Sequence, residues 1–201
     1  ENGRPYDRYP QYEYHMAKDT GLSVSLSIRG ETVECKVKLV DCYGNAPLYL
    51  LDTNFPGSNH GWMTSKLYGG EAQDRIAAEM ILGIGGVRLL RALGKEVDIY
   101  HFNEGHAVFA GLELIREKMT ERGMTFHEAW QEVRSQVVFT THTPVPAGNE
   151  IHDHGLLKYM EAYNGLSYEE MSQIGGDPFN MTAAALRLSK KANALSKLHG
   201  H

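Results

Sequence analysis

Two short polar corners carry the side chains best suited to chemistry. One closes the run Val97-Asp98-Ile99-Tyr100-His101-Phe102-Asn103-Glu104-Gly105-His106. The other closes Val137-Val138-Phe139-Thr140-Thr141-His142-Thr143-Pro144-Val145-Pro146-Ala147-Gly148. Glu104, His106 and His142 supply a carboxylate and two imidazoles, which exchange protons or hydrogen bonds near neutral pH. A plainer reading exists for the first corner alone: an acid and a histidine in a helix's first turn favour the dipole or cap the helix. Two corners of this kind argue for a binding cleft. Lined by hydrogen-bonding groups of little net charge, it suits a neutral polyhydroxylated ligand better than a nucleotide.

Each corner needs a strand to deliver it. Residues 97–102 are β-branched and aromatic, and Asn103 is a good N-cap for a following helix. Val108, Phe109, Leu112, Ile115 and Met119 then fall on one helical face. Residues 137–141 read as a second buried strand, stopped by Pro144 and Pro146, which lack the N–H a ladder needs. If both strands run parallel in one sheet, with the intervening helices as crossover, the corners open on the same edge, where α/β sheets bind ligands.

Ahead of the corners the pattern divides the chain. Residues 1–20 have no clear period and read as irregular or extended. Residues 21–52 form an antiparallel β region: Leu22, Val24, Leu26 and Ile28 alternate with serines, and Val33, Cys35, Val37 and Leu39 alternate with charges after an Arg29-Gly30 turn. Gly44-Asn45 turns the chain into Leu48–Leu51, whose continuous apolar run predicts a more buried strand. Residues 53–70 form a polar, glycine-rich loop in which Trp62 and Tyr68 either stack on sugar rings or pack against the next helix.

Residues 71–201 form an α/β region. Ile76, Met80, Ile84, Val87 and Leu90 predict a helix over 71–93, with Leu82, Leu89 and Leu93 widening its apolar stripe. Gly83-Ile84-Gly85-Gly86 is no dinucleotide loop, because no strand precedes it; close packing of this helix on the sheet explains the glycines better. Gly94 stops the helix. Thr125 with Glu128 and Ser167 with Glu170 are capping boxes. In the first of these helices Trp130 sits on the apolar stripe, as core. Residues 149–153 read as loop and 156–163 as helical. Asn180, in a sequon-like Asn-Met-Thr, opens a final helix with Met181, Ala185, Leu188, Ala192 and Leu195 inward and Arg187, Lys190, Lys191 and Lys197 outward.

Composition excludes several classes. At 201 residues, with 42 % hydrophobic and 22 % charged content, the chain is long enough for one substantial core. A formal net charge of −5 and the lack of a basic stripe argue against nucleic acid. No apolar run approaches membrane-spanning length, no secretory-signal pattern is visible, and no membrane partner is expected. A start at Glu1 rather than Met is consistent with an excised segment. Cys35 and Cys42 make no disulfide framework, so a reducing cytoplasm is the default location. Ten histidines raise a metal-dependent hydrolase as an alternative, with His101, His106, His142, His152 and His154 as candidates. No His-Glu-x-x-His helix supports it, and His152-Asp153-His154 has the composition of a solvated loop. No metal ligand is therefore assigned.

At the corners the sequence resembles a known family. His-Phe-Asn-Glu-Gly-His-Ala-x-Phe (101–109), Phe-Thr-Thr-His-Thr-Pro-Val-Pro-Ala-Gly (139–148), Leu-Tyr-Leu-Leu-Asp-Thr-Asn (48–54) and Phe-Asn-Met-Thr…Leu-Ser-Lys-Leu-His-Gly (179–200) look like α-glucan phosphorylases of the bacterial and archaeal branch. The likeness runs in the family's order over roughly residues 20–200. It implies a piece of a longer enzyme, in which a partial Rossmann-like parallel sheet with flanking helices forms part of the N-terminal half of a GT-B glycosyltransferase fold. It also implies phosphorolysis: phosphate displaces the terminal glucose of an α-1,4-glucan (glycogen, starch or maltodextrin), giving glucose 1-phosphate.

Residue by residue, the resemblance assigns His142 to the reacting glucose, flanked by Thr141 and Thr143. It makes Asn103, Glu104 and His106 sugar-binding on the acceptor side, with Tyr68 at the rim. His106, at the positive end of a helix, is expected to stay neutral. The family's cofactor, pyridoxal phosphate, is held by a lysine that this chain lacks, in a C-terminal domain of the same enzyme that becomes the chain's expected partner. The isolated chain is thus expected to be inactive, and a homo-oligomer is compatible with the resemblance. From Asn149-Glu150-Ile151 onward the sequence departs from the family's usual histidine-containing continuation, so no role is carried beyond Gly148. The alternative within the same chemistry is a non-catalytic glucan-binding module.

Overall fold

A computed structural model describes residues 16–44, 46–65, 70–142 and 150–194. Tyr68 and Thr143 therefore lie outside the described residues, as do residues 1–15. The expected hairpin is present: β1 (Lys18–Ile28) pairs antiparallel with β2 (Glu31–Val40), joined by Arg29 and Gly30, both at positive φ. Positive φ at both central residues matches the twist of the flanking strands, the reason such turns suit hairpins. β3 (Leu48–Asp52) adds antiparallel to β2. It is less buried than its apolar run predicts, with Leu48 50 % exposed, because it lies at the edge of the described sheet.

The helix expected over 71–93 is one rod with a change of winding inside it. α1 (Ala72–Met80) passes through a π-helical turn at 81–85 into α2 (Gly86–Ala92). Glu71 and Asp74 form its capping box. Leu93 and Gly94 close it as a Schellman motif: the Gly94 amide donates to the Arg91 carbonyl and the Lys95 amide to that of Leu90. The π turn carries Leu82 outward, 54 % exposed, against the reading that placed it on the buried stripe. An extra residue per turn rotates the face, and periodicity at 3.6 cannot see it. The glycines there serve close packing as expected, but mostly against another helix. A Cβ on Gly83 would lie 2.5 Å from the Ala110 amide of α3 (Val108–Arg122), and one on Gly85 would meet Leu51 of β3 at 3.0 Å.

The second sheet is parallel, in the order β4 (Tyr100–Asn103), β5 (Val137–Thr141) and β8 (Lys191–Ala194). α3 and α4 (Phe126–Gln136) connect the first two strands, α4 opening on the Thr125–Glu128 capping box. Trp130 packs at the edge of the core and its indole N–H donates to the Arg187 carbonyl. Beyond β5, a two-residue strand β6 (Ile151–His152) pairs antiparallel with β7 (Phe179–Asn180), where a plain loop was expected. α5 (His154–Tyr159) is capped by Asp153, and α6 (Tyr168–Gly175) opens on the Ser167–Glu170 box.

α7 (Met181–Leu188) is capped by Asn180, as expected, but it ends nine residues before Lys197, the last residue of its lysine-bearing pattern. Lys191 and Ala192 belong to β8, and the Lys190 amide donates to the Val137 carbonyl. Pairing beside β5 overrides a helical period of small and basic residues that has little apolar surface to bury. Leu195 and Lys197 lie outside the described residues. Among the described residues, no helix is long and apolar enough to cross a membrane. Cys35 is buried and Cys42 exposed, and both are free thiols.

A buried charge ties the two halves together. Glu113 of α3, with no side-chain exposure, receives Arg88 at 2.9 Å and Arg116 at 2.8 Å. Arg88 also donates to the Ser25 carbonyl of β1. Burial alone would raise the carboxyl's pKa, but Arg116, Arg88 and Asn164 hold it at about 2. A depressed carboxylate stabilises the fold above its unfolded value near 4.5, and that contribution is lost as pH falls through about 2. Glu113→Gln is expected to flatten this acid limb and to cost about 3–5 kcal/mol at neutral pH. Urea melts between pH 2 and pH 7 check it, and parallel curves for the two proteins would refute the assignment. The glycines of the π turn and its C-terminal side give an opposite-sign pair. Gly83→Ala should destabilise by roughly 1–3 kcal/mol through overpacking. Gly86→Ala, with open space around its Cβ, should stabilise by about 0.5–1 kcal/mol.

Candidate functional site

The two corners leave the same edge of the parallel sheet side by side. Phe102 pairs with Phe139 and Asn103 with Thr140, so the chain exits β4 and β5 at the same level. Asn103 is the last strand residue rather than the cap. The cap is Glu104, whose carboxylate accepts from the Gly105 amide at 3.3 Å and opens a short 3-10 turn ahead of α3. The same carboxylate reaches across to the second corner and accepts from the His142 amide at 2.7 Å. Its own amide donates to the Thr140 carbonyl at 2.9 Å. Glu104 is thus bonded across to β5 in both directions.

It does so in an unusual conformation, φ 67° and ψ 175°. Side chains rarely adopt this region, and it costs of order 1–3 kcal/mol unless the surroundings enforce it. Here the two cross-strand hydrogen bonds enforce it. A third polar link runs across the open face of the sheet. Thr140 Oγ1 donates to Asn193 Oδ1 at 2.6 Å and pairs with His101 Nε2 at 2.7 Å, so His101 carries its proton on Nε2. His101 is joined to the corner through Thr140 of β5. Thr141 ends β5, half-buried, and His142 follows it with a buried Nε2 that has no hydrogen-bond partner among the described residues.

His106 departs most from expectation. Its Nδ1 lies 3.1 Å from Glu79 Oε1 and 3.7 Å from Glu150 Oε2. Glu150 and Glu79 raise its pKa to about 10, so it is an imidazolium at neutral pH rather than the neutral ring expected from the helix dipole. Two carboxylates at contact distance outweigh half a charge at a helix end. Glu150 is held low, at about 2, by His106 and Arg75, whereas burial pushes Glu79 up. The corner is therefore richly charged, with Glu79 and Glu150 against His106 and Glu150 also against Arg75.

Glu79, Glu150, Arg75 and Thr140 escaped the sequence reading. Glu79 left a trace, since an acid three residues after Ile76 and one before Met80 falls on an apolar stripe where it needs a partner. His152 and His154 are buried rather than solvated. His154 is fully used: Nδ1 meets the Tyr163 hydroxyl and Nε2 donates to the Gly176 carbonyl, both at 2.8 Å. Trp62 is partly exposed beneath the Arg29 guanidinium, whose carbon lies 5.9 Å from the ring centroid.

If the cross-strand hydrogen bonds hold Glu104 in place, glycine should be tolerated there better than alanine. Both lose the carboxylate, but only alanine keeps the left-handed strain. Glu104→Ala is expected to be less stable than Glu104→Gly by about 1 kcal/mol in urea unfolding. Equal stabilities would mean the backbone relaxes and nothing enforces the corner.

No protein-family model matches the chain. Curated proteins do. A maltodextrin phosphorylase from Thermococcus litoralis is 44 % identical over 165 residues, covering 78 % of this chain and 19 % of that enzyme. A glycogen phosphorylase from Mycobacterium tuberculosis is 41 % identical over 181 residues, covering 78 % of this chain and 21 % of the enzyme. An uncharacterised protein of Methanocaldococcus jannaschii is 34 % identical across 98 % of this chain, which amounts to 37 % of its own length. The chain thus spans about a fifth of the length of the two phosphorylases. Through that stretch, which includes both corners of the sheet's edge, it is similar to α-glucan phosphorylases, as a fragment of such an enzyme would be.

Proposed function

We propose that this chain is the glucan-side part of an α-1,4-glucan phosphorylase, contributing the N-terminal-half portion of a GT-B glycosyltransferase. One observation supports this reading above the others: Glu104 fastens the two family-like corners together at one edge of a parallel sheet. A glucose unit offers hydroxyls that both donate and accept. The edge offers carboxylate and threonine oxygens and the His106 imidazolium, a complementary set. Fixed by the Glu104 carboxylate at its amide, His142 presents ring and main-chain carbonyl from one rigid position. Rigid donors and acceptors around a sugar favour the oxocarbenium-like state because they need no reorganisation as charge develops. His142 is the residue assigned to the reacting glucose. Asn103, Glu104, His106 and Thr141 surround it, with Thr143 and Tyr68 as further sugar contacts.

The residues of this edge do not fit the family's cofactor. Carboxylates at 104 and 150 repel a phosphate ester, and Lys190 and Lys191 enter β8 at the end of the sheet away from the corners. Pyridoxal phosphate and the inorganic phosphate would be held elsewhere in the parent enzyme, by a domain beyond this segment. That division of labour predicts binding without turnover, in a protein of the cytoplasm. The 201-residue chain should bind maltoheptaose weakly by calorimetry or NMR titration, and His142→Ala should weaken it by roughly tenfold. The same chain, given maltodextrin, phosphate and pyridoxal phosphate, should release no glucose 1-phosphate. Absence of any maltoheptaose binding by the unmodified chain would overturn the sugar-site reading, and product formation would overturn the assignment of the cofactor to another domain.

A further inference from the structure

Behind the corner, two buried polar atoms face each other without bonding. Glu79 Oε2 and His152 Nε2 are 3.6 Å apart, beyond hydrogen-bond length, and neither has a hydrogen-bond partner among the described residues. His152 is 2 % exposed and Glu79 5 %. Leaving such atoms unsatisfied is costly, and native interiors rarely do so without a reason. Glu150 completes the group: one ligand atom each from Glu79, Glu150 and His152 lie within 4.8 Å of one another.

The remaining contacts orient these atoms. Glu79 turns its other oxygen to His106 Nδ1 at 3.1 Å, and Glu150 gives Oε1 to Arg75 at 2.8 Å. Glu79 is thus fixed through one oxygen, and Glu150 through Oε1 on Arg75 with Oε2 3.7 Å from His106 Nδ1, the kind of arrangement by which outer groups position metal ligands. An ion at about 2.1 Å from both Glu79 Oε2 and His152 Nε2 would span their 3.6 Å separation at an angle of about 120°, an opened tetrahedral angle.

We propose that Glu79, Glu150 and His152 form a binding site for one divalent first-row transition-metal ion, with His106 and Arg75 as positioning residues. Two carboxylates and one imidazole are a mixed oxygen and nitrogen donor set suited to zinc or manganese and poorly suited to soft ions. Three protein ligands leave one position of a tetrahedron to water. The ion cross-links α1 to β6 directly behind His106, so it braces the first corner from the side away from β5. The three ligands are distinct from the sugar-facing residues, with which the site shares only His106, and the site does not depend on the phosphorylase reading.

The test uses the untagged 201-residue chain, freed of metal with a chelator and titrated with Zn2+ by calorimetry, with Co2+ absorption as a geometric readout and Mg2+ as the hard-ion control. One Zn2+ per chain is expected, with a raised Tm, a tetrahedral Co2+ visible band and no comparable Mg2+ response. Glu79→Gln and His152→Gln should each weaken Zn2+ binding by at least about a hundredfold. Glu150→Gln, at a half-buried position where folding is less at risk, should weaken it by at least about tenfold. His127→Gln, an exposed histidine outside the group, should leave binding unchanged. A chain that fails to bind stoichiometric Zn2+, or whose binding survives Glu150→Gln and Glu79→Gln in variants with native circular dichroism, overturns the site. Because maltoheptaose binding is read separately, failure here leaves the sugar site standing, and the reverse also holds.

Discussion

The hydrogen bond from the His142 amide to the Glu104 carboxylate is the constraint on which the corner geometry depends. Parallel strands are joined by even ladders of backbone bonds, but the ladder stops where the chain turns off the sheet. Beyond that point nothing in the backbone keeps two corners together. Glu104 extends the pairing by one rung, its amide giving to Thr140 and its carboxylate taking from His142. Its left-handed backbone is the cost of turning the side chain sideways along the edge rather than out from it. A glycine would adopt the turn easily but would carry no carboxylate, which gives a physical reason for an acid at a position that sterics disfavour.

Around that rung the protein distributes charge in layers. At the edge stands Glu104; behind it are His106, Glu79, Glu150 and Arg75; deeper, Glu113 is locked between Arg88 and Arg116. Each acid has a different task because each has a different neighbour. Glu113 is neutralised by two guanidiniums and holds α3 against α2 and β1. Glu150 and Glu79 share one imidazolium, Glu150 held low by it while burial pushes Glu79 up. A core helix can carry such groups only where partners arrive from other elements. α3 therefore sits at the centre of the described fold, touching α1, α2, α4 and α7.

The small antiparallel sheet contributes by providing a fixed wall. Its inner face carries Val24, Leu26, Ile28, Val33, Cys35 and Val37 into the same core as the helices. Gly83 and Gly85 allow the 72–92 rod to approach α3 and Leu51 as closely as backbone allows. Close approach fixes where Glu79, one turn earlier, can reach. Packing of glycines therefore reaches the chemistry through simple rigidity.

The sequence by itself determined the elements whose causes are local. Alternation specified the β1–β2 hairpin, and the Thr125–Glu128 and Ser167–Glu170 boxes and Asn180 marked three helix starts. The runs before each corner specified β4 and β5, because period and capping act within a few residues. The motif resemblance reached the family for the same reason. Only the tertiary structure decided the rest. The π turn that exposes Leu82, the strand that replaces the end of the last helix, and the edge position of Leu48 all depend on what packs or pairs alongside. The charge of His106 was set by Glu79 and Glu150, distant in sequence and brought there by α1 and β6. Burial of His152 was equally illegible, since an exposed and an enclosed His-Asp-His read alike. Local pattern carries information about neighbours along the chain, whereas protonation, strain and ligand geometry depend on neighbours across space.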